Sequence, residues 1–239
     1  MMTKVISFYS DIDGRTYYSD HAKRLKKDLD NLNQDYYIEE LPSSGDYRSN
    51  CLKKPRFILE TFKKLKEDVI WLDIDSIVHQ NLSNTLTSFM EECDITGAVQ
   101  VPPIREYFEQ NGRALITKIK ASPVVFKYKP EVVDFVETWA EDCDENLKNG
   151  NKFDHEVLLD ITIPRFIHKL RWGLLDIRYC TWPGSTDKNT IITMGIADGD
   201  TKRKGLENMG LSEEMINVQL IGNERLNNDY ASSGHWGSV

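Results

Sequence analysis

Four consecutive apolar residues, Val69-Ile70-Trp71-Leu72, stand between Asp68 and the run Asp73-Ile74-Asp75-Ser76. A short unbroken apolar run bounded by polar residues is what a strand buried on both faces requires, and such strands belong in a parallel sheet covered by helices. The flanking sequence repeats that theme. VISFYS predicts a first strand, the polar DIDG a turn, and Ala22, Leu25, Leu29 and Leu32 a helix, before a second strand in DYYIEELP. Pro55 suits the first turn of a helix, and Ile58, Phe62 and Leu65 carry an apolar stripe through PRFILETFKKLKED up to the central strand. Beyond it, SNTLTSFMEE predicts a helix with Ser83 as N-cap, and DITGAVQV a further strand. The alternation predicts an α/β fold with an open, mostly parallel, twisted sheet and helices on both faces. Ligands of such a sheet gather at the C-terminal ends of its strands.

After a polar stretch at 103 to 118, ASPVVFKY reads as a strand, and Val132, Val133, Val136, Trp139 and Ala140 form the clearest helical stripe in the chain. Asn149-Gly150-Asn151 makes a loop, after which Asp154 is placed to cap a short helix through EVLLDI. LLDIRYC and TIITMGIA read as strands separated by the turn WPGSTDKN. From about residue 201 the chain is polar and weakly periodic, with one helix predicted in LSEEMINVQL. Residues 1–200 are therefore expected to form one domain, and residues 201–239 an extension without a core of its own.

Of the 239 residues, 40% are hydrophobic and 28% charged, as in ordinary globular proteins. Thirty basic against 38 acidic residues give a net charge of −8, and no basic cluster exceeds KRLKK and KRK, which argues against general binding to nucleic-acid phosphates. No run of 18 apolar residues predicts a transmembrane helix, and the N-terminus is too acidic and too short in apolar length for a signal peptide, so a cytoplasmic protein is expected. Cys51, Cys93, Cys143 and Cys180 are widely and irregularly spaced, which predicts reduced thiols and no zinc knuckle.

Asp-x-Asp occurs five times, at Asp11/Asp13, Asp28/Asp30, Asp73/Asp75, Asp142/Asp144 and Asp198/Asp200. Composition alone gives roughly two, so context has to choose among them. Asp28/Asp30 and Asp142/Asp144 fall on polar helical segments and read as solvated faces. Asp73 and Asp75 differ because they leave a buried strand directly, and residues two apart on an extended chain point to one side. Two such carboxylates repel each other unless a cation lies beside them. Hard oxygen ligands suit Mg²⁺ or Mn²⁺, which commonly takes one or two protein carboxylates and fills the remaining positions with substrate phosphates and water. A loop-capping aspartate pair is the structural alternative.

At this point the chain resembles a known family. NCLKKPRFILETFKKLKEDVIWLDIDSIV is similar to the nucleotide-sugar-binding core of GT-A fold glycosyltransferases, in which a helix precedes an apolar strand ending in Asp-x-Asp. SFYSDIDG is similar to the family's first strand and nucleotide-contacting loop. ASPVVFKYKPEVVDFVETW followed by FDHEVLL is similar to its later strand, helix and acidic segment, so that the resemblance covers most of residues 3 to 165.

The resemblance implies that Asp73 faces the ribose or a metal ion and that Asp75 binds the Mn²⁺ or Mg²⁺ of a nucleoside-diphosphate-sugar donor. It places Tyr9 and Asp11 beside the nucleoside, with a packed aromatic and a turn-forming aspartate as the alternatives. Lys54 would neutralise phosphate, or else be a solvated lysine. Asp154 and Glu156 are the candidates for catalysis on the acceptor side, as a base toward an incoming hydroxyl or as a carboxylate stabilising an oxocarbenium-like centre, with a helix N-cap as the alternative for Asp154. The partners implied are the nucleotide-sugar donor and a carbohydrate or other hydroxyl acceptor. Many such enzymes take a third metal ligand from a late histidine. Here Met194 stands in that region, and Asp198, Asp200 or His235 would have to substitute.

Two other readings fit an apolar strand ending in Asp-x-Asp. A haloacid-dehalogenase-type phosphatase would use Asp73 as nucleophile, although that family places the strand near the start of the chain. A nucleotide-sugar-binding domain without turnover is the third.

Overall fold

The computed structural model describes residues 3–100, 118–181, 185–195, 199–208, 210, 212–214, 216 and 217. The polar stretch after residue 100, residues 182–184 of the WPGSTDKN turn, Asp198, His235 and much of the LSEEMINVQL segment lie outside the described residues.

The chain opens with β1 (Lys4–Tyr9), α1 (Tyr17–Asn31) and β2 (Tyr36–Glu40), and β1 pairs in parallel with β2. The turn between β1 and α1 carries Asp13 and Gly14 at φ 58° and 72°, a left-handed pair that aspartate and glycine accept more readily than bulkier residues. Two helices follow almost end to end, α2 (Tyr47–Leu52) and α3 (Lys54–Leu65). Asp46 caps α2 by accepting from the Ser49 N–H, and α3 begins with a proline at its first turn and stops where Lys66 turns left-handed at φ 55°.

The apolar run forms β3 (Val69–Trp71), parallel to β1. The motif then leads at once into β4 (Ile77–Val78) and α4 (Leu82–Glu92), whose N-cap is Asn81, accepting from the Asn84 N–H; Ser83 lies inside the helix, its N–H and hydroxyl directed at the Gln34 side chain. β5 (Ile95–Gln100), β6 (Lys118–Phe126) and the twenty-residue α5 (Pro130–Asn149) come next. The acidic segment forms α6 (Asp154–Val157), which runs through a π-helical turn at Leu158–Thr162 into α7 (Ile163–Phe166).

The strands expected in LLDIRYC and TIITMGIA are shorter than their apolar content suggests. β7 covers Trp172–Leu175, after which Ile177–Tyr179 is a 3₁₀ turn capped by Asp176, and β8 is Ile192–Thr193 alone. Asp176 accepts from the Arg178 N–H and so diverts the backbone from the ladder. Helix α8 (Gly199–Asn208), which weak periodicity did not announce, follows.

The main sheet has the order β2-β1-β3-β6-β5-β7. All neighbours pair in parallel except β6, which runs antiparallel between β3 and β5. The sheet is mostly parallel and both faces are covered. Ile6, Val69, Trp71, Val124 and Phe126 pack under α3, α5 and α7, while Val5, Ile70, Leu72 and Val125 pack under α1 and α4. Alternation along β3 explains the unbroken apolar run, since Ile70 points one way and Val69 and Trp71 the other.

Candidate active site

The central strand delivers Asp73 to the C-terminal edge of the sheet, and three neighbours fix it there. From β1, Ser7 donates its hydroxyl to the Leu72 carbonyl at 2.7 Å. From β6, Ser122 Oγ accepts the Asp73 N–H at 2.8 Å. From α1, Arg24 donates to the carbonyls of Asp75 and Ser76 at 2.8 and 2.9 Å. The motif is therefore held by its backbone, which leaves its carboxylates for other partners.

Asp73 is partly exposed, its Oδ1 accepting from Trp71 Nε1 at 3.2 Å and lying 2.9 Å from Lys54 Nζ. The same ammonium is 2.7 Å from Asp154 Oδ2, so one buried lysine joins the motif to the acidic segment. Burial by itself would pull the Lys54 pKa down; Asp154 and then Asp73 outweigh it and hold the amine protonated, above the ordinary lysine value. The ammonium also sits 5.6 Å from the centre of the Trp71 ring. Asp154 is buried at the first position of α6, where Phe153, not Asp154, is the N-cap, and Trp139 on α5 donates its indole N–H to the Asp154 carbonyl at 3.2 Å. An N-cap aspartate would turn back on its own helix; this one turns inward to Lys54.

Asp75 is buried beside it. Desolvation, then the charge of Asp73, push its carboxyl up to about 6. A β-carbon on Gly195 would lie 2.0 Å from Asp75 Oδ1, so only glycine fits there. Gly195 reaches this place because β8 pairs antiparallel with β4, the two-residue strand that follows the motif. The late loop thus meets the motif, as expected of a third-ligand position, but brings Met194 and Gly195. Among the described residues no group of three or more His, Cys, Asp or Glu side chains is disposed to hold a metal ion. A pair of carboxylates, Asp73 partly exposed and Asp75 raised by burial and then by the charge of Asp73, fits a hard cation whose other ligands would be substrate oxygens and water.

The remaining expected residues are engaged locally. Tyr9 donates to Glu40 at 3.2 Å, and Asp11 Oδ1 accepts the Tyr18 and Ser19 N–H groups at 3.0 Å each, anchoring the first turn of α1. Glu156 accepts the Phe153 N–H at 2.8 Å and so closes the first turn of α6. The structure thus brings Asp73, Asp75, Lys54 and Asp154 together and leaves Tyr9, Asp11 and Glu156 in structural contacts around them. Asp200 is ion-paired with Arg15 at 3.1 Å on the turn after β1.

Two residues escaped sequence reasoning. Tyr47 begins α2, and its phenol is raised well above the usual value by burial, by Cys51 and Tyr18, and by the carboxylates of Asp75 and Asp154. Lys120 on β6 places its Nζ 3.3 Å from Met194 Sδ; burial lowers its pKa, against the opposing pull of Cys180 and Asp73. Neither carried a local signal, since a tyrosine near a helix start and a lysine in an alternating strand are both unremarked in sequence.

By sequence the chain matches no protein-family profile and no curated protein. Solved structures do resemble it. A glycosyltransferase involved in the glycosylation of the major capsid of PBCV-1 has a TM-score of 0.57 at 14% identity, covering 83% of this chain and 96% of that one. The apo structure of the bifunctional glycosyltransferase WbbM has a TM-score of 0.49 at 12% identity, covering 92% of this chain and 52% of that one. The chain carries the α/β fold of the capsid glycosyltransferase, the GT-A-like arrangement that its own sequence resembles.

Proposed function

We propose that the protein is a metal-dependent glycosyltransferase that moves a sugar from a nucleoside-diphosphate-sugar donor to a hydroxyl acceptor, using Mn²⁺ or Mg²⁺ at Asp73 and Asp75. The observation that carries this reading is the joining of Asp73, at the end of the central strand, to Asp154 through the single buried Lys54. The likeness of fold to a capsid glycosyltransferase supports it.

When bound, the divalent ion would counter the charge that grows on the diphosphate as its bond to the anomeric carbon breaks. The protein's own part is positioning. Asp73 and Asp75 would hold the ion, with Trp71 and Lys54 orienting Asp73 and Gly195 leaving room for Asp75. Asp154, buried and turned inward, holds the Lys54 that orients Asp73, and would act on the reacting sugar or the incoming hydroxyl as a carboxylate only by turning out of that contact. Glu156 acts through Asp154 by fixing the start of α6. Tyr9 and Asp11, at the end of β1, flank the nucleoside.

The test is a thermal-shift screen of UDP-, GDP-, CMP- and dTDP-sugars with and without Mn²⁺, since a ligand of the native state raises its apparent stability. The nucleotide found is then used to follow transfer or donor hydrolysis. Asp75→Asn is expected to lower turnover at saturating Mn²⁺ by about 100-fold or more without unfolding the protein. Wild-type rates in that variant would refute the assignment.

A further inference from the structure

Lys54 is a buried ammonium with two carboxylates in reach, Asp73 at 2.9 Å and Asp154 at 2.7 Å. The two carboxylates differ in their surroundings. Asp73 is partly exposed, whereas Asp154 is buried at the start of α6, with the Trp139 indole N–H on its backbone carbonyl. The Asp73 oxygen that meets Lys54 also accepts the Trp71 indole N–H at 3.2 Å. A neutral donor therefore already orients Asp73, and what Lys54 adds is charge.

That charge bears on a second cation. A full positive charge 2.9 Å from a carboxylate opposes the approach of a divalent ion to the same group, through a like-charge repulsion that is steep at short range. Asp154 decides how large the opposition is. An ammonium that lost its anion would be left as a buried, uncompensated charge, which is strongly unfavourable. Lys54 has a second anion, closer than the first, and meets both from one position of its nitrogen, so its contact with Asp73 can lengthen without stranding it. The flexible four-carbon stem of a lysine allows that shift.

We propose that Lys54 is an exchangeable counter-ion of Asp73, which occupies the carboxylate while no divalent ion is bound, yields it on metal binding and is retained by Asp154. Asp154 is then a positioning residue that sets metal affinity through Lys54. The proposal rests on the metal site of the glycosyltransferase reading and deepens it; it concerns the metal-binding step, apart from any part of Asp154 in transfer.

The variants are Asp154→Asn, which leaves Lys54 to Asp73, and Lys54→Met/Asp154→Asn, which removes both charges. Calorimetric titration with Mn²⁺, alone and in the presence of UDP, GDP, CDP or dTDP, is run on these two, on Asp75→Asn and on the wild type, beside the melting temperature of each without ligand. Asp154→Asn is expected to bind Mn²⁺ about 10-fold more weakly than the wild type, because the ion must then displace an ammonium that has no other seat. The double variant is expected to recover that loss and to bind Mn²⁺ at least as tightly as the wild type, since no ammonium competes. A part in shaping the site alone would weaken both variants, so the opposite signs carry the test; should Asp154→Asn fail to fold, the double variant against the wild type still decides. An Asp154→Asn affinity equal to that of the wild type, or a double variant weaker than the wild type, overturns the proposal alone. A wild type that takes up no Mn²⁺ with or without these nucleotides, or an Asp75→Asn variant that binds it as the wild type does, overturns the metal site of the glycosyltransferase reading and the proposal with it.

Discussion

Replacing Lys54 with methionine removes one charge from a cluster of three and leaves the shape of the side chain nearly unchanged. The ammonium lies 2.9 Å from Asp73 and 2.7 Å from Asp154, and the side chains of Lys54, Asp73 and Asp154 are 9%, 43% and 5% exposed. At 2.7 Å and an effective dielectric constant of 20, the Lys54–Asp154 attraction is about 6 kcal/mol, most of it offset by the desolvation of both ions. What the substitution leaves behind decides the outcome. Asp73 keeps access to water and adds little, whereas Asp154 becomes a buried carboxylate without its cation, a change that costs about 3–5 kcal/mol. In a chain of this size that is a fall in melting temperature of about 6–20 °C. Urea unfolding followed by tryptophan fluorescence is the assay. The double variant Lys54→Met/Asp154→Asn removes the stranded charge as well and is expected to return to within about 2 kcal/mol of wild type. A loss below about 1 kcal/mol in the single variant, or a double variant no more stable than the single one, would show that Asp154 does not depend on Lys54.

Gly195→Ala places a β-carbon 2.0 Å from Asp75 Oδ1 and 2.6 Å from the Asp75 backbone carbon, so the loop or the motif must move. It is expected to cost about 1–3 kcal/mol and to lower turnover together with Mn²⁺ affinity; an unchanged melting temperature and rate would mean that the loop is not packed on Asp75. His21 packs on the Tyr17 ring at 4.4 Å, and burial, then the charge of Arg24, lower its pKa to about 3. Because the folded state resists a proton that the unfolded chain accepts near 6.5, this contribution is fully present above pH 6.5 and is lost as pH falls toward 3, by up to about 1.4 kcal/mol per pH unit. His21→Gln should flatten the acid side of a stability curve measured between pH 7.5 and 4.5, and parallel curves would disprove the shift.

Much of the scaffold was legible because it depends on near neighbours in sequence. The stripes that predict α1, α3 and α5 and the apolar run of β3 are properties of consecutive residues, and the structure places these elements where the periodicity does. Ends were less legible. Asn81 rather than Ser83 caps α4, and β7 ends early because Asp176 captures a backbone N–H that the ladder would have used. Both outcomes turn on competition between a side chain and the backbone, which composition does not resolve.

Within the site, the sequence singled out Asp73 and Asp75 because a buried strand must release its polar residues where it reaches the edge of the sheet. It also singled out Lys54 and Asp154, but as a phosphate binder or solvated lysine and as a base or a helix cap. Their pairing spans one hundred residues and is made by α3 and α6 meeting at the end of β3, a proximity that no local pattern encodes. The antiparallel insertion of β6 is the same kind of fact. A strand's residues state that it is buried, not which neighbour it joins or in which direction, and it is that insertion which sets Ser122 under Asp73. Sequence alone therefore determined the elements and the carboxylates, through short-range sterics and hydrophobic period. Tertiary packing decided which charges face one another, because the energy of a charge depends on distance and burial in three dimensions.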